Sequence, residues 1–456
     1  MSTADTIAAI STPPGVGGIG TVRVSGPAAR EICDRVFASP KGRRIADAPG
    51  YTALYGRVSG PDGPIDEAIA LVFAAPASYT GEDVVELSVH GGGYIVKALL
   101  RALLAAGARL AEGGEFTRRA FLNGKLDLAE AESVMQLISA KGAEAHRAAL
   151  QTKSGVLSRE IEAIRAFLLH CAGDLAAYID YPDEDMPALE SGTFLQEMEG
   201  AEKRLAHLLD TYDTGRLLRE GIDTVIVGRP NVGKSTLMNL LVGEERSIVT
   251  DVAGTTRDIV EESVMLGGLC LRLADTAGLR KTDDQVEAIG VQRARDRLEQ
   301  ASLVLLLLDA SSPLTTEDRE LLSLCRGRRT VVVMNKSDLP ERMDRSAVEE
   351  YGFPTLTISA LEPEAADRLA AVVEQVTGLS DLSDDAVILS TERQRICAQT
   401  ALSAVREAKE ALLSGVTLDA VGVCLDDALN ALFSLTGERV TTAVADEVFS
   451  RFCVGK

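Results

Sequence analysis

The segment GRPNVGKS at residues 228 to 235 has the residue types and spacing of a phosphate-binding loop. An apolar run precedes it and an amphipathic run follows it, which is the strand–loop–helix setting that this motif requires. Glycines let backbone N–H groups face the phosphates, Lys234 can place its charge on the β- and γ-phosphates, and the Ser235 hydroxyl can ligate Mg²⁺. Lys234 is therefore a candidate catalytic group. The predicted nucleoside triphosphate site includes Asn231, Val232, Gly233, Lys234, Ser235 and Thr236.

Two further motifs narrow the nucleotide to GTP. The first follows a predicted strand and suits Mg²⁺ binding and γ-phosphate sensing; it consists of Asp275, Thr276, Ala277 and Gly278. The second also follows a predicted strand and consists of Asn335, Lys336, Ser337 and Asp338. Its aspartate can accept hydrogen bonds from both N1–H and the exocyclic amine of guanine, a pair of donors that adenine lacks. The predicted supporting base loop is Ser359, Ala360 and Leu361.

The group that orients the attacking water is not fixed by these motifs. Ras-like GTPases carry a glutamine directly after Asp-x-x-Gly, but this chain has Leu279, whose apolar side chain cannot orient water. Three acidic side chains follow, and position alone does not separate Asp283, Asp284 and Glu287. Residues 254 to 258 lie where a switch segment belongs, so the Thr256 hydroxyl is the predicted second Mg²⁺ ligand from the protein.

Composition limits the class of protein. The chain has 456 residues, of which 46% are hydrophobic and 25% charged, typical of a globular protein with two or three domains. The net charge of −21 disfavours broad non-specific nucleic-acid binding, because phosphate contacts need Lys and Arg. Seven cysteines without metal-ligand spacing and only four histidines disfavour a zinc site and favour a reducing, cytoplasmic compartment. We expect no membrane association, because no apolar run has membrane-spanning length and the N-terminus lacks signal-peptide character.

Three patterns divide the chain. Residues 1 to 120 alternate short apolar runs with turn signals, which predicts an α+β domain. Residues 219 to 378 alternate helices with apolar strands predicted at 224–227, 270–274, 303–308, 330–334 and 355–358. Such strands are typical of a parallel sheet covered on both faces. Residues 121 to 218 and 379 to 456 have helical periodicity. The prediction is a multi-domain α/β plus α protein, in which an inserted Ras-like, doubly wound P-loop domain interrupts a discontinuous helical domain.

Long stretches outside the nucleotide motifs are distinctive. They are DTIAAI (5–10), PPGVGGIG (13–20), RVSG (23–26), SYTGEDVVE (78–86), GEFT (114–117), RAFLNGKLDL (119–128) and the terminal FCVGK (452–456). With the GTPase motifs in this order, the chain resembles the MnmE (TrmE) family of tRNA-modification GTPases over its whole length. The resemblance implies a homodimer that acts on tRNA together with the FAD protein MnmG. The implied product carries an aminomethyl or carboxymethylaminomethyl group at C5 of the wobble uridine.

The resemblance also implies a one-carbon donor, 5,10-methylenetetrahydrofolate, for which 5-formyltetrahydrofolate is an analogue. It would bind in the N-terminal domain, which also dimerises in the family. The implied folate contacts are Arg23, Glu86, Lys125 and Lys456. Their chemistry is compatible, because cations suit the folate glutamate and a carboxylate can pair with the N–H groups of the pterin.

For GTP hydrolysis, the resemblance places the catalytic carboxylate of the switch on Glu287. It implies a K⁺ ion, which would replace an arginine finger by placing positive charge on the transition state. The implied K⁺ ligands are Asn231, Thr250, Val252 and Thr255, and the same GTP-binding loop contains Asp251, Ala253 and Gly254. In the family, dimerisation of two GTPase domains orders this loop, so GTP turnover is expected to be coupled to the approach of the domains.

Cys453 allows several interpretations. It is fourth from the end, as in a prenylation box, but Gly455 and Lys456 do not fit that signal. A free cysteine is commonly just buried. The resemblance instead places Cys453 beside the folate region as a catalytic thiol, although the sequence shows no activating neighbour. A buried thiol and a catalytic thiol both remain open.

Two functions compete on the sequence. One is the modification GTPase, and the alternative is a regulatory or ribosome-assembly GTPase that binds RNA without modifying it. A lipidated signalling GTPase is disfavoured by Leu279 and by the poor terminal box. The region near Arg393 and Arg395 is weakly basic, so RNA affinity would depend on Arg118, Arg119 and Lys125 or on MnmG.

Overall fold

The structure of the protein is a computed structural model that describes residues 5–180, 193–244, 262–273, 298, 301–380, 386–450 and 452–455. The strands in chain order are β1 (Ile7–Ile10), β2 (Ile19–Ser25), β3 (Phe37–Ala38), β4 (Thr52–Gly60), β5 (Gly63–Phe73), β6 (Val84–His90), β7 (Arg109–Leu110), β8 (Ile222–Val227), β9 (Glu262–Leu266), β10 (Leu269–Leu273), β11 (Leu303–Asp309), β12 (Thr330–Asn335) and β13 (Thr355–Thr357).

The helices in chain order are α1 (Ala29–Val36), α2 (Gly93–Ala105), α3 (Glu115–Leu122), α4 (Leu128–Ser139), α5 (Ala143–Lys153), α6 (Val156–Asp180), α7 (Thr193–Asp210), α8 (Tyr212–Glu220), α9 (Lys234–Glu244), α10 (Thr316–Leu324), α11 (Ser346–Glu349), α12 (Ala365–Thr377), α13 (Glu392–Leu413), α14 (Leu418–Thr436) and α15 (Thr442–Ser450). The chain divides into two compact units, the first formed by Met1–Met135 with Leu429–Lys456 and the second by Gln136–Ala428.

The first unit contains a seven-stranded sheet in the order β3-β4-β5-β6-β2-β1-β7. Neighbouring strands are antiparallel except β1 and β7, which are parallel. Apolar residues alternate along β2, so Val22 and Val24 face a core that also holds residues of α1 and α2. Arg23 therefore lies on the opposite face of β2, where the register places it directly across from Glu86 of β6.

A second apolar cluster in this unit joins early and late parts of the chain. Leu128 and Ala131 of α4 pack with Phe449 of α15 and with Phe452. The segment after α15 then forms an isolated antiparallel bridge between Val454 and Gly113. These contacts place the last described residues beside the N-terminal sheet.

The second unit contains a six-stranded sheet in the order β13-β12-β11-β8-β10-β9. All neighbours are parallel except β9 and β10, which form a hairpin closed by Gly267 and Gly268. Both glycines have positive φ, as a two-residue hairpin turn requires. Alternate residues of β11 enter different cores: Leu305 belongs to one cluster and Leu306 to the other, so both faces of the sheet are covered.

Helices before and after this sheet pack in the same unit. Arg204 of α7 forms an ion pair with Glu160 of α6, with Nη2 and Oε2 2.6 Å apart, and Lys409 of α13 pairs with Glu202 of α7 at 2.8 Å. The segment before α13 crosses α8 closely, because a Cβ on Gly215 would overlap the carbonyl oxygen of Leu389. The chain entering the sheet and the chain leaving it are therefore held together.

The predicted fold class is confirmed, and the predicted strands agree with the observed ones within a few residues. The predicted parallel sheet is confirmed for the five strands that the sequence identified, and the structure adds β9, an antiparallel edge strand that the sequence did not predict. That edge strand follows from its two-residue turn, which is too short for the crossover that a parallel pair needs. The predicted domain boundaries stay a prediction. Within the ranges that the structure describes, no helix is both long enough and apolar enough to cross a membrane.

Candidate functional site

The phosphate-binding loop joins the end of β8 to the start of α9. Its glycines are required by close approaches: a Cβ on Gly228 would lie 2.5 Å from the carbonyl oxygen of Leu307, and one on Gly233 would overlap the side-chain amide of Asn335. Both glycines have φ values in the left-handed region, +155° and +100°. Asn231 also has a positive φ, 63°, which is uncommon for a residue with a side chain. The loop is thus held in one tight conformation.

Lys234 is positioned by the loop itself. Its ammonium donates hydrogen bonds to the carbonyl oxygens of Gly228 at 2.6 Å and of Arg229 at 2.7 Å. Burial lowers the pKa of Lys234, and the negative charge of Glu317 opposes that shift. The ammonium therefore lies against the loop that it would share with the nucleotide phosphates.

Asn335 links three nucleotide-site segments. Its Nδ2 donates to the carbonyl oxygen of Val232 in the phosphate loop at 2.9 Å, and its Oδ1 accepts from the backbone N–H of Ala360 at 2.9 Å. Asn335 is buried, so both bonds are shielded from water. The first residue of the guanine motif thus connects the phosphate loop and the base loop.

In the rest of the guanine motif, the lysine forms an ion pair and the aspartate is exposed. Lys336 donates to Oδ2 of Asp309, at the end of β11, at 2.7 Å. Burial would raise the pKa of Asp309, but hydrogen bonds from Lys336 and Ser311 lower it below its ordinary value. Asp338 is exposed, as a base-reading carboxylate must be. In the base loop, Ser359 is buried and Leu361 is 74% exposed.

In the first unit, Arg23 and Glu86 form one polar pair. Nε of Arg23 lies 2.8 Å from Oε1 of Glu86, and Nη1 of Arg23 donates to the carbonyl oxygen of Gly455 at 3.4 Å. The guanidinium also lies over two aromatic rings, 5.4 Å from the centroid of Tyr79 and 5.5 Å from that of Phe116. Two of the predicted folate residues are therefore adjacent, and the C-terminal segment reaches them.

Lys125 and Cys453, two further predicted residues of this region, make other contacts. The Lys125 ammonium donates to the carbonyl oxygen of Pro76 at 3.2 Å. Cys453 is exposed, and its carbonyl oxygen accepts from the N–H of Gly114 at 3.3 Å. A buried Cys453, one of the two interpretations left open, is therefore wrong. Lys456 is outside the described residues.

The same unit contains an ionic cluster around a buried arginine. Arg119 is 4% exposed and lies within 3.2 Å of carboxylate oxygens of Asp5, Glu82 and Glu115. Hydrogen bonding from Arg109, with burial opposing it, contributes to a lowered pKa for Asp5. The cluster fixes the start of α3, the helix that carries Phe116. Sequence reasoning assigned Arg119 only to RNA; its place within the GEFT and RAFLNGK motifs was the signal for a structural role.

Comparison with known proteins identifies the family of this chain. The family model described as GTP-binding protein TrmE N-terminus matches residues 6–125, and the model described as MnmE helical domain matches residues 128–453. The tRNA modification GTPase MnmE of Heliobacterium modesticaldum is 44% identical over 465 residues, covering 99% of each chain. The protein of that name from Geobacillus kaustophilus is 42% identical over 462 residues, covering 100% of each. The chain belongs to the MnmE family.

Family membership confirms the predicted resemblance and the predicted activity as a GTP hydrolase. Among solved structures, the FeoB G domain from Methanococcus jannaschii is 23% identical and covers 34% of this chain and 97% of that one, with a TM-score of 0.26. A score this low carries no argument, so the assignment to the MnmE family depends on the sequence relatives.

A GTPase of the MnmE family binds GTP with Mg²⁺, and the described residues fit these ligands. The loop glycines allow its close packing against Leu307 and Asn335, Lys234 supplies a cation, and the Ser235 side chain is exposed in the first turn of α9. Several predicted site residues lie outside the described residues: Thr250, Asp251, Val252, Ala253, Gly254, Thr255, Thr256, Asp275, Thr276, Ala277, Gly278 and Glu287. Sequence reasoning missed Asp309, whose signal was an acidic residue at the end of an apolar strand.

Proposed function

We propose that this chain couples GTP hydrolysis to modification of C5 of the wobble uridine in tRNA, together with the FAD protein MnmG. The one-carbon unit would come from 5,10-methylenetetrahydrofolate bound in the first unit. The observation that carries this proposal is the Arg23–Glu86 pair, whose guanidinium lies over two aromatic rings and contacts the Gly455 carbonyl. A switch that only binds RNA has no need of such a site.

The pair suits one polar edge of a folate. A pterin presents a row of N–H donors and a carbonyl acceptor along one edge, which a carboxylate and a guanidinium side by side can match. Because Arg23 and Glu86 are 2.8 Å apart, they would act at the same end of the ligand. The folate glutamate would then be left to the proposed contacts Lys125 and Lys456. The Tyr79 and Phe116 rings hold the guanidinium in place and exclude water around it.

The C-terminal segment belongs to the proposed site. Gly455 has a φ of 100°, and a Cβ on it would overlap the carbonyl oxygen of Ile10 in β1. Only glycine therefore allows this close approach, which brings the segment holding Cys453 to the N-terminal sheet. We propose that Cys453 acts there as a catalytic thiol, and its exposure supports access to a substrate.

Titration of 5-formyltetrahydrofolate into the full chain, followed by calorimetry, tests the folate site. We expect binding by the wild type and a loss of about 10- to 100-fold in Arg23→Gln and in Glu86→Gln, the effect of removing a charge-assisted hydrogen bond. Arg44→Gln is the matched control, since Arg44 is an exposed residue of the same unit paired with Asp34. Absence of heat with the wild type would favour the alternative, an RNA-binding regulatory GTPase.

For hydrolysis, Lys234 would place positive charge on the β- and γ-phosphates, and Asp338 would select guanine. Bound Mg²⁺ neutralises charge that develops on the phosphates. We propose that Glu287 orients the attacking water and that K⁺, held by Asn231, Thr250, Val252 and Thr255, replaces an arginine finger. The strained φ of Asn231 supports a specific role for this residue in the loop.

Comparison of GTP turnover in KCl and in NaCl tests the K⁺ proposal. We expect faster turnover in KCl with the wild type and no difference between the salts with Asn231→Ala. Asn239→Ala, an exposed position on α9, should retain the wild-type salt preference. Equal wild-type rates in both salts would remove K⁺ from the mechanism. Coupling of turnover to homodimerisation, which we also propose, would appear as a turnover number that rises with protein concentration.

A further inference from the structure

The side chain of Arg229, a residue of the phosphate-binding loop, contacts two residues that follow β11. Its Nη2 donates a hydrogen bond to Oγ of Ser312, and its Nε lies 3.4 Å from Oδ2 of Asp318. Both partners belong to the corner between β11 and the first turn of α10. The loop is therefore attached to a neighbouring element by a side chain that makes no direct contribution to its glycine cradle.

Asp318, the acidic partner of Arg229, is a buried carboxylate. It is fully buried, and its Oδ2 accepts from the backbone N–H of Thr315 at 3.0 Å and from the Thr315 hydroxyl at 2.7 Å. Its Oδ1 accepts no hydrogen bond from any residue that the structure describes. Arg229 is the one cation within 4.0 Å of this carboxylate in the described part of the chain. A buried carboxylate is stabilised by a neighbouring cation, so loss of the Arg229 charge would leave Asp318 without an ion-pair partner in the described part of the chain.

The same corner also reaches the guanine motif. Oγ of Ser312 donates to the carbonyl oxygen of Asp309 at 3.2 Å, and the Asp309 carboxylate accepts from Lys336 at 2.7 Å. A continuous polar chain thus runs from Arg229 through Ser312 and Asp309 to Lys336. The β11–α10 corner therefore contacts both the phosphate-binding loop and the guanine motif, which must bind the same nucleotide.

The position of Arg229 in the loop gives this attachment a chemical consequence. The carbonyl oxygen of Arg229 is one of the two acceptors that hold the Lys234 ammonium. Arg229 is also two residues before Asn231, whose positive φ persists only if the surrounding structure enforces it. Release of the Arg229 side chain would let both Lys234 and Asn231 shift, and a displacement of about 1 Å at a catalytic group can cost up to 100-fold in rate.

We propose that Arg229 is a positioning residue for GTP hydrolysis, which acts by fixing the phosphate-binding loop to the buried carboxylate of Asp318. It does not contact the reacting phosphate. Its effect is exerted through the placement of Lys234 and Asn231, and this role is independent of folate and of tRNA.

A double-mutant cycle on the full chain tests this role through kcat and KM for GTP, the dissociation constant of GDP and the melting temperature. We expect Arg229→Gln to lower kcat about tenfold while KM and the GDP dissociation constant change less than about threefold. Asp318→Asn added to Arg229→Gln should cause little further loss, because both remove one interaction. Arg229→Lys, which keeps the charge beside Asp318, should recover at least about half of the lost kcat.

Arg345→Gln is the matched control, because Arg345 forms an exposed ion pair with Glu341 in the same unit, and its kcat should equal that of the wild type. If Asp318→Asn does not fold, Ser312→Ala takes its place in the cycle. The proposal is overturned if Arg229→Gln keeps the wild-type kcat, or if the losses of the two single variants multiply in the double variant. It is also overturned if kcat falls only in proportion to the folded fraction.

Discussion

The side-chain amide of Asn335 donates to the carbonyl oxygen of Val232 across 103 positions of sequence, at 2.9 Å. Together with the bond from Ala360 N–H to the same side chain, it makes the phosphate loop, the guanine motif and the base loop one unit. Because all these groups are buried, each lost partner leaves a polar atom without water to replace it. Nucleotide affinity should therefore depend on the bonds that Asn335 makes to the other two loops.

Asn335→Ala should weaken GDP binding about 10- to 100-fold, since two buried hydrogen bonds of about 1 kcal/mol or more each are removed from the site. Equilibrium titration with a fluorescent GDP measures the change. Asn335→Asp should weaken binding as well, because its carboxylate would face the Val232 carbonyl without a donor. Asn239→Ala on exposed α9 is the control. Wild-type affinity in Asn335→Ala would mean that the three loops hold their places without this residue.

Asp338→Asn should change the base preference. A carboxylate accepts from the two donors of guanine, whereas an amide can donate to the oxygen that xanthine carries in place of the amine. We expect GTP affinity to fall about 100-fold and xanthosine triphosphate to become a substrate, because charge-assisted hydrogen bonds contribute about 1.5–3 kcal/mol each. Turnover of both nucleotides by wild type and variant measures the exchange. If the variant prefers GTP as the wild type does, Asp338 does not read the base.

The sequence predicted most of the nucleotide sheet because buried parallel strands are continuous apolar runs, as in β11 and β12. It missed β9, although Gly267 and Gly268 between two short strands are typical of a hairpin turn. The phosphate loop was predicted from the motif GRPNVGKS and from the apolar runs on either side of it. Its attachment through Arg229 and Asp318 was not, because a contact across 89 positions, from residue 229 to 318, depends on the packing of α10 and leaves no local pattern.

In the first unit, too, contacts between residues distant in sequence were not predictable. The resemblance assigned Arg23 and Glu86 to one ligand, and alternation along β2 and β6 is enough to place them on one face of a sheet. Their direct pairing depends on the register between β2 and β6, which periodicity does not give. The Tyr79 and Phe116 rings come from a loop and from α3, so only the folded chain shows them around Arg23.

His170 should make the stability of the helical part of the second unit depend on pH. A hydrogen bond with Glu197 on α7, reinforced by the charge of Asp174, raises the pKa of His170 above its ordinary 6.5. Since the folded-state pKa is raised, the stabilisation is complete below about pH 6.5 and is lost as pH rises through the folded-state pKa.

We therefore expect His170→Gln to lower the melting temperature at pH 5.5 to 6 and to leave it unchanged at about pH 9, measured by circular dichroism. His146→Gln, at an exposed position on α5, should give a smaller difference between the two pH values. An equal effect of His170→Gln at both pH values would show that the imidazole acts by packing and not by charge.

Gly142 should be intolerant of a side chain because it touches the β9–β10 hairpin. A Cβ on Gly142 would overlap the carbonyl oxygen of Gly268 and lie 2.8 Å from the terminal methyl of Met265. The backbone of the hairpin turn cannot yield as a flexible side chain would, so Gly142→Ala should destabilise the protein by about 1–3 kcal/mol. Gly200→Ala on α7 has nothing within 4 Å of its Cβ and should instead stabilise by about 0.5–1 kcal/mol. Urea denaturation measures the change in the free energy of unfolding for both variants. A stabilised Gly142→Ala would show that the hairpin moves aside at little cost.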